Sequence, residues 1–431
     1  MNLILAFIAF NFIVIVHELG HFFVAKLTDI KVLEFSLFVG PKLFSIKKGE
    51  TTYSLRLLPI LAYVKMEGEE EESDSERAFN KKPIWTRAAV IAAGPLANLV
   101  IAVIVLCIVF SVTGFTTNRL SNVEEKSPAY NAALKEGDII LKYDGKSVYQ
   151  PMDLIQFLYV YKGRPAEVEY NRGGQRFTTS ISPTVIPEQE RYLFGFNAKQ
   201  INGELSNVVG AVASDTPAAK AGLQDGDVIK KLNQSPISSK KDIDHFMADN
   251  KGNPVKMTVV RNGSEIVLDI VPYVSRLPEQ YYLGIEFELQ KGSFPGVLKH
   301  SILFAYSTAR NVAYSLGWLI TGRVSLNEMT GPVGIVSSIG DAVEQGTTFL
   351  SKLLYLLNIT AFISIAIGAT NLIPFPALDG NKLLLLLIEG IRKKPIPPEK
   401  EAFISMIGFV ILIALAIFTI YNDTLRLIMR R

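Results

Sequence analysis

Three things are scarce in this 431-residue chain: cysteine, histidine and net charge. The single cysteine, Cys107, sits in an apolar run, which excludes a disulfide framework and any cysteine-based metal site. A formal charge of +3 is too small at this length to build the basic surface that nucleic acid requires, so no nucleic-acid partner is expected. The only histidines are His17, His21, His245 and His300, so any imidazole chemistry must come from these.

What is abundant is apolar sequence. Hydrophobic residues make up 49% of the chain, concentrated near its two ends, while the middle reads as a soluble protein. Runs of about 20 apolar residues can cross a bilayer. Four segments qualify: Met1–Ala25, Ala88–Gly114, Leu350–Leu372 and Ala402–Tyr421. The first lacks the basic start of a secretory signal and is read as a span. Val297–Thr321 carries Lys299, His300 and Arg310, the pattern of an amphipathic, interfacial helix. Basic residues cluster between the first two spans (Lys26, Lys31, Lys42, Lys47, Lys48, Arg56, Lys81, Lys82, Arg87) and between the last two (Arg392, Lys393, Lys394, Lys400). The positive-inside rule then places both segments in the cytoplasm and the middle region and both termini outside, against the weaker opposing signal of Arg426, Arg430 and Arg431.

The middle region repeats itself. "SPAYNAALKEGDIILKYDGKSV" (Ser127–Val148) aligns with "TPAAKAGLQDGDVIKKLNQSPI" (Thr216–Ile237), and each copy continues into alternating strands joined by hairpin turns. Short apolar-Gly-apolar segments follow, "LFGF" (Leu193–Phe196) and "YLGI" (Tyr282–Ile285). These features resemble tandem PDZ domains, which add an extended peptide to a sheet edge. The resemblance implies peptide grooves shaped at Gly195 and Gly284. Ala133 stands where the repeat has Gly222, so the first copy is expected to turn differently there. Ahead of the second span, Glu50–Met66 reads as a hairpin or meander apolar enough to dip into the membrane, and the acidic run Glu69–Glu72 reads as a solvated loop.

The chemistry is carried by "HELGH", His17 to His21. Residues i and i+4 share a helix face, so both imidazoles can hold one zinc ion, with Glu18 beside them to take a proton from water. Zinc lowers the pKa of a bound water to about 7. Ionisable groups inside a membrane segment cost roughly 2.5–3.5 kcal/mol on insertion scales and persist there for function. A catalytic zinc needs a third protein ligand. His245 and His300 fall on the outer side, so the ligand should be a carboxylate in apolar surroundings. Asp379 in "NLIPFPALDGNKLLLLLIEG" is the leading candidate, because Pro374 and Pro376 break the helix beside it and irregular backbone at membrane depth lines protein or a wet cavity. Glu389 and Asp341 are its rivals.

HELGH in the first span, "GPLAN" (Gly94–Asn98) in the second, the repeated middle region, "GPVGI" (Gly331–Ile335) and "NLIPFPALDG" together resemble the site-2 protease family of intramembrane zinc metalloproteases, over essentially the whole chain. The resemblance implies zinc held by His17, His21 and Asp379, Glu18 as the catalytic base, and Asn371 on the substrate backbone. It also implies a membrane-reentrant β element containing "LPILAYVKM", whose edge residues Tyr63 and Val64 would hold an unwound substrate. Substrates would be single-span membrane proteins such as anti-sigma factors and signal-peptide remnants. They would be cut within the bilayer of a bacterial inner membrane after prior trimming, in regulated proteolysis and envelope stress signalling. Two departures stand out: Leu61-Ala62 where the family has Gly-Gly, and Asn381-Lys382 where it has Gly-His.

The expected fold is a polytopic α-helical membrane protein with four transmembrane helices, a membrane-associated β-hairpin and two extracytoplasmic PDZ-like α+β domains. Its segments are a first span at 1–25, a β region at 26–87, a second span at 88–114 and PDZ-like domains at 115–200 and 201–291. Interfacial helices follow at 292–349, then a third membrane segment at 350–391, a cytoplasmic loop at 392–401 and a last span at 402–431.

Overall fold

A computed structural model describes residues 2–429 of the chain except 70, 72, 202–203, 214–215 and 345–347. It divides into two units, Met1–Ser182 with Leu283–Asp423, and Pro183–Tyr282 with Thr424–Arg431. Within the first unit, helix α1 (Asn2–Leu27) leads into strands β1 (Val32–Lys48) and β2 (Thr51–Met66), and then into α2 (Ile84–Thr113). The hairpin is therefore larger than the segment Glu50–Met66 suggested. Its first strand begins at Val32, and Glu50 lies in the turn. Gly40 and Pro41 in the middle of Val32–Lys48 read as a turn and mask that strand in the sequence. Both strands bend, so that residues 34–37 of β1 pair with 62–65 on one side and 52–55 on the other. Residues 62–66 end up as an edge segment.

Helices α1 and α2 cross closely. A Cβ on Gly20 would stand 2.3 Å from the carbonyl oxygen of Ala93, so only glycine permits the approach. Beneath the crossing, Ala25, Ile30, Val32, Met66 and Val90 form a buried cluster that seats the hairpin on both helices.

After α2 the chain forms β3 (Phe115–Val123), β4 (Ile139–Tyr143), helix α3 (Pro151–Tyr161), β5 (Ala166–Arg172) and β6 (Gln175–Ile181). The second unit then supplies β7 (Phe196–Ile201), β8 (Glu204–Val212), β9 (Val228–Leu232), β10 (Val255–Arg261) and β11 (Ser264–Ile270). On return to the first unit comes β12 (Ile285–Gln290). The two sheets have matching orders, β12-β3-β4-β5-β6 and β7-β8-β9-β10-β11.

This corrects the division at residue 200. Ile285 pairs with Val123 and Gln290 with Phe115, so the strand after "YLGI" completes the first module and the second module is inserted within it. The glycine loops follow suit. Leu283 O accepts from Ala129 N–H at 3.0 Å in the first copy, and Phe194 O accepts from Ala218 N–H at 2.8 Å in the second. "LFGF" thus belongs with Thr216–Ile237 and "YLGI" with Ser127–Val148, the reverse of their order in the chain. A linear repeat carries no mark of which strand closes which sheet, because pairing partners are set by contacts distant in sequence.

The turn at Ala133 does not differ. Ala133 adopts φ +60° and Gly222 φ +82°, with equivalent bonds from Ala133 N–H to Tyr130 O (2.9 Å) and Gly222 N–H to Ala219 O (3.0 Å). Alanine accepts the left-handed conformation there at a steric penalty that glycine lacks.

Helix α4 (Phe294–Ile320) follows, then α5 (Pro332–Glu344), α6 (Phe349–Asn371), α7 (Asp379–Arg392) and α8 (Pro398–Met429). Helix α4 buries small and polar residues, Ser301, Ala305, Ser307 and Thr308. It is tied to the first module by Asp153 of α3, a fully buried carboxylate that accepts from Ser307 Oγ, from Asn311 Nδ2 at 2.8 Å and from the backbone N–H of Tyr149. Arg310 completes the charge balance at 2.9 Å. Among the described residues, four helices are long and apolar enough to cross a membrane: Ile4–Leu27, Ile84–Thr113, Phe349–Asn371 and Glu399–Leu425. The segment 350–391 is two helices, α6 and α7, broken at Leu372–Leu378 where Pro374 and Pro376 remove backbone donors.

Candidate metal centre

The sequence places His17, Glu18 and His21 on one turn of α1, and the fold brings Asp379, the first residue of α7, against them. His17 Nε2 lies 3.1 Å from Asp379 Oδ2, His21 Nε2 lies 3.5 Å from the same oxygen, and the two Nε2 atoms are 3.2 Å apart. These are three of the six edges of a tetrahedron whose centre would stand about 2.0–2.1 Å from each corner, the bond length of zinc to imidazole nitrogen and carboxylate oxygen. Oδ2 of Asp379 is buried without a hydrogen-bond partner among the described residues, as a ligand atom aimed at an ion would be. Among those residues these three form the one group of His, Cys, Asp or Glu able to hold a metal. Glu18 is partly buried next to His17.

The outer nitrogens of the imidazoles are also held. Nδ1 of His21 meets Val90 O at 2.8 Å, and a carbonyl can only accept, so Nδ1 carries the proton and Nε2 keeps its lone pair. Asn98 in α2 is fully buried and its amide lies 3.3 Å from Nδ1 of His17, while its Oδ1 has no partner among the described residues. With Nε2 of His17 given to a metal, Nδ1 is protonated, and the amide satisfies both groups by turning Oδ1 toward it. The backbone of Asn98 is anchored in turn, its O accepting from Ser364 Oγ of α6 at 2.9 Å. "GPLAN" therefore works as a seat for the two histidines. Sequence reasoning noticed the motif without finding this role, because nothing in α2 alone announces what its small residues face.

Asp379 is fixed by a tight turn. A Cβ on Gly380 would sit 2.2 Å from Ile373 O, and one on Gly408 of α8 would sit 2.2 Å from Pro376 O. Of the rival ligands, Glu389 is taken by Arg87, whose Nη1 is 3.2 Å from Oε2, and the side chain of Asp341 lies outside the described residues. His300 stacks on Phe115 at 4.1 Å, and His245 lies on the helix Lys240–Asn250 of the second unit.

The other expected site residues are placed as follows. Tyr63 and Val64 lie on the edge segment of β2, opposite Ser36 and Phe35. Asn371 is the last residue of α6 and lines an apolar cavity of about 800 Å³ with Phe7, Phe10, Ile13, Ile335 and Ile339 of α1 and α5. Gly195 and Gly284 sit in the β modules at φ +94° and +74°, and a Cβ on either would strike Thr216 or Ser127 at 2.2 and 2.1 Å. Leu61, where the family has glycine, also takes a left-handed φ of +63°.

The profile of peptidase family M50 matches residues 5–415. This chain belongs to peptidase family M50. It is 29% identical over 466 residues to the regulator of sigma-E protease RseP of Salmonella typhimurium, with 99% of each chain covered. It is likewise 29% identical over 432 residues to the zinc metalloprotease RasP of Geobacillus kaustophilus, covering 96% of each. Among solved structures, the HtrA3 PDZ domain bound to a phage-derived ligand aligns at 20% identity and a TM-score of 0.17, covering 21% of this chain and 91% of that one. Family membership together with four apolar helices makes this M50 peptidase a membrane protein, and its relatives' names point to zinc as the metal of its centre.

Proposed function

We propose that this M50 peptidase is an intramembrane zinc endopeptidase that hydrolyses peptide bonds within the transmembrane segments of single-span proteins. One observation carries the reading: His17, His21 and Asp379 converge within metal-ligand distance, the two histidines on a helix apolar enough to lie in a bilayer. Zinc held there supplies a Lewis acid that makes water nucleophilic at neutral pH. Glu18 takes the proton of the attacking water and hands it to the departing amine. Val90 and Asn98 keep both imidazoles in the tautomer that presents Nε2.

A substrate helix hides its carbonyls in i to i−4 bonds and must be locally unwound before water can attack. The edge segment with Tyr63 and Val64 holds the unwound stretch by strand addition, and Asn371 contacts its backbone. The membrane is a bacterial inner membrane, with the PDZ-like modules outside and the hairpin side in the cytoplasm, an orientation that the basic loops support. Substrates are anti-sigma factors and signal-peptide remnants already shortened outside the membrane, with the modules acting as a size filter. Because the second module is an insertion, replacing Pro183–Tyr282 with a short flexible linker tests that filter while keeping β12 for the first sheet. Untrimmed substrate should then be cut.

The deciding experiment pairs metal content with turnover on a reporter single-span protein. Glu18→Gln should retain zinc and lose cleavage, and trimmed membrane stubs should accumulate in cells carrying it. Asp379→Ala should lose both. Full zinc and full turnover in Asp379→Ala would remove the basis of the assignment.

A further inference from the structure

The loop after β2 is anchored in two directions. Toward the start of β1 and the segment leading to α2, Glu67 N–H donates to Lys31 O at 3.0 Å, Lys31 Nζ reaches Glu67 at 2.8 Å, and Phe79 N–H donates to Glu67 O at 2.7 Å. Toward α7, Oε1 of Glu69 accepts from Nζ of Lys382 at 2.9 Å. Their side chains are 21% and 38% exposed, so the pair is partly withdrawn from solvent. Glu69 opens the acidic run that the sequence presents as a solvated loop, and Lys382 is one of the two positions where this chain departs from the family pattern after Asp379. Lys382 lies one helical turn beyond Asp379, on the same face of α7.

We infer that Glu69 and Lys382 form a latch, a positioning pair that holds the substrate-binding edge of β2 against the helix that presents Asp379. This rests on the proposed intramembrane peptidase reading. The geometry separates the latch from the metal site itself. Asp379 is set by the Gly380 turn, and α7 is pinned near its far end by Arg87 and Glu389. Losing the latch therefore leaves the ligand where it is. What it releases is the loop three residues beyond Met66, and with it the outer support of the strand carrying Tyr63 and Val64.

The test is a double-mutant cycle on the full-length enzyme in bilayer discs, using Glu69→Gln, Lys382→Met and the pair together. Each single variant should raise KM for a single-span substrate about fivefold, since a partly withdrawn ion pair is worth more than an exposed one. Zinc content and kcat should change by less than twofold, and the double variant should be no worse than either single one. Hydrogen exchange of the amides at 67–69 should accelerate several-fold in every variant. Additive losses in the double variant, loss of zinc, or unchanged exchange at 67–69 would each overturn the latch. The exchange measurement needs no turnover. If the wild type proved unable to cut membrane substrates, the proposed function would fail while faster exchange in the variants would still support the latch.

Discussion

Gly94 of α2 lies directly against the imidazole of His21: a Cβ at this glycine would stand 2.3 Å from Nε2 and 2.6 Å from Cε1. The missing side chain is therefore part of the candidate metal centre, because it leaves the space in which Nε2 of His21 can face His17 and Asp379. Gly94→Ala is expected to push His21 off its bond to Val90 O and lower zinc affinity roughly 10- to 100-fold, as loss of a supporting contact does. Metal analysis after dialysis against a graded chelator series checks this. Retention of wild-type zinc would show that the helix crossing adjusts instead.

The repeat offers a paired experiment on backbone strain. Ala133 and Gly222 occupy the same left-handed turn in the two modules, and Gly222 has nothing within 4 Å of its would-be Cβ. Ala133→Gly should stabilise the first module, and Gly222→Ala should destabilise the second, each by about 1 kcal/mol. Limited proteolysis under graded urea reads both. The reverse pattern, with Ala133→Gly destabilising and Gly222→Ala stabilising, would mean that chain entropy, rather than strain, governs the position.

Acid should weaken the second module through one carboxylate. Burial acts to raise the pKa of Asp227, but two 2.7 Å bonds from Arg261 and one of 2.9 Å from Gln224 N–H outweigh it and hold the carboxyl below its usual range. A depressed folded-state pKa stabilises the protein above the unfolded value of about 3.9, and that contribution disappears as pH falls through the folded value. Asp227→Asn is expected to be less stable than wild type at pH 7 and to approach it in stability as pH falls below that unfolded value. Denaturant midpoints from pH 2 to 7 measure the gap, and a gap constant with pH would exclude this carboxylate as the cause.

Tyr63→Pro removes a backbone donor from the edge segment of β2. Under strand addition the loss of cleavage should be greater for uniformly helical substrate spans than for spans already containing Gly or Pro, by about tenfold in kcat/KM. Equal losses on both substrates would point to a misfolded hairpin.

Local periodicity made half of the candidate metal centre readable in advance. His17, Glu18 and His21 share a helix face whatever the helix packs against, and a run of apolar residues announces a span by length alone. Asp379 could be singled out because two prolines break the helix around an acid in apolar surroundings, although its 3.1 Å approach to His17 belongs to the folded chain. Other features depended on contacts between distant segments. Gly94 and the polar Asn98 have no visible task in α2 until α1 crosses them. The glycine loops exchanged modules for the same reason: a strand's partner is chosen by which edge is open when the chain returns, and β12 pairs with β3 across a whole inserted second module. Glu69 shows the limit most plainly. By itself it is one charge in an acidic loop, and only the packing of α7 beside that loop gives it Lys382 as a partner, because helix period and apolar run length say nothing about which distant side chains will meet.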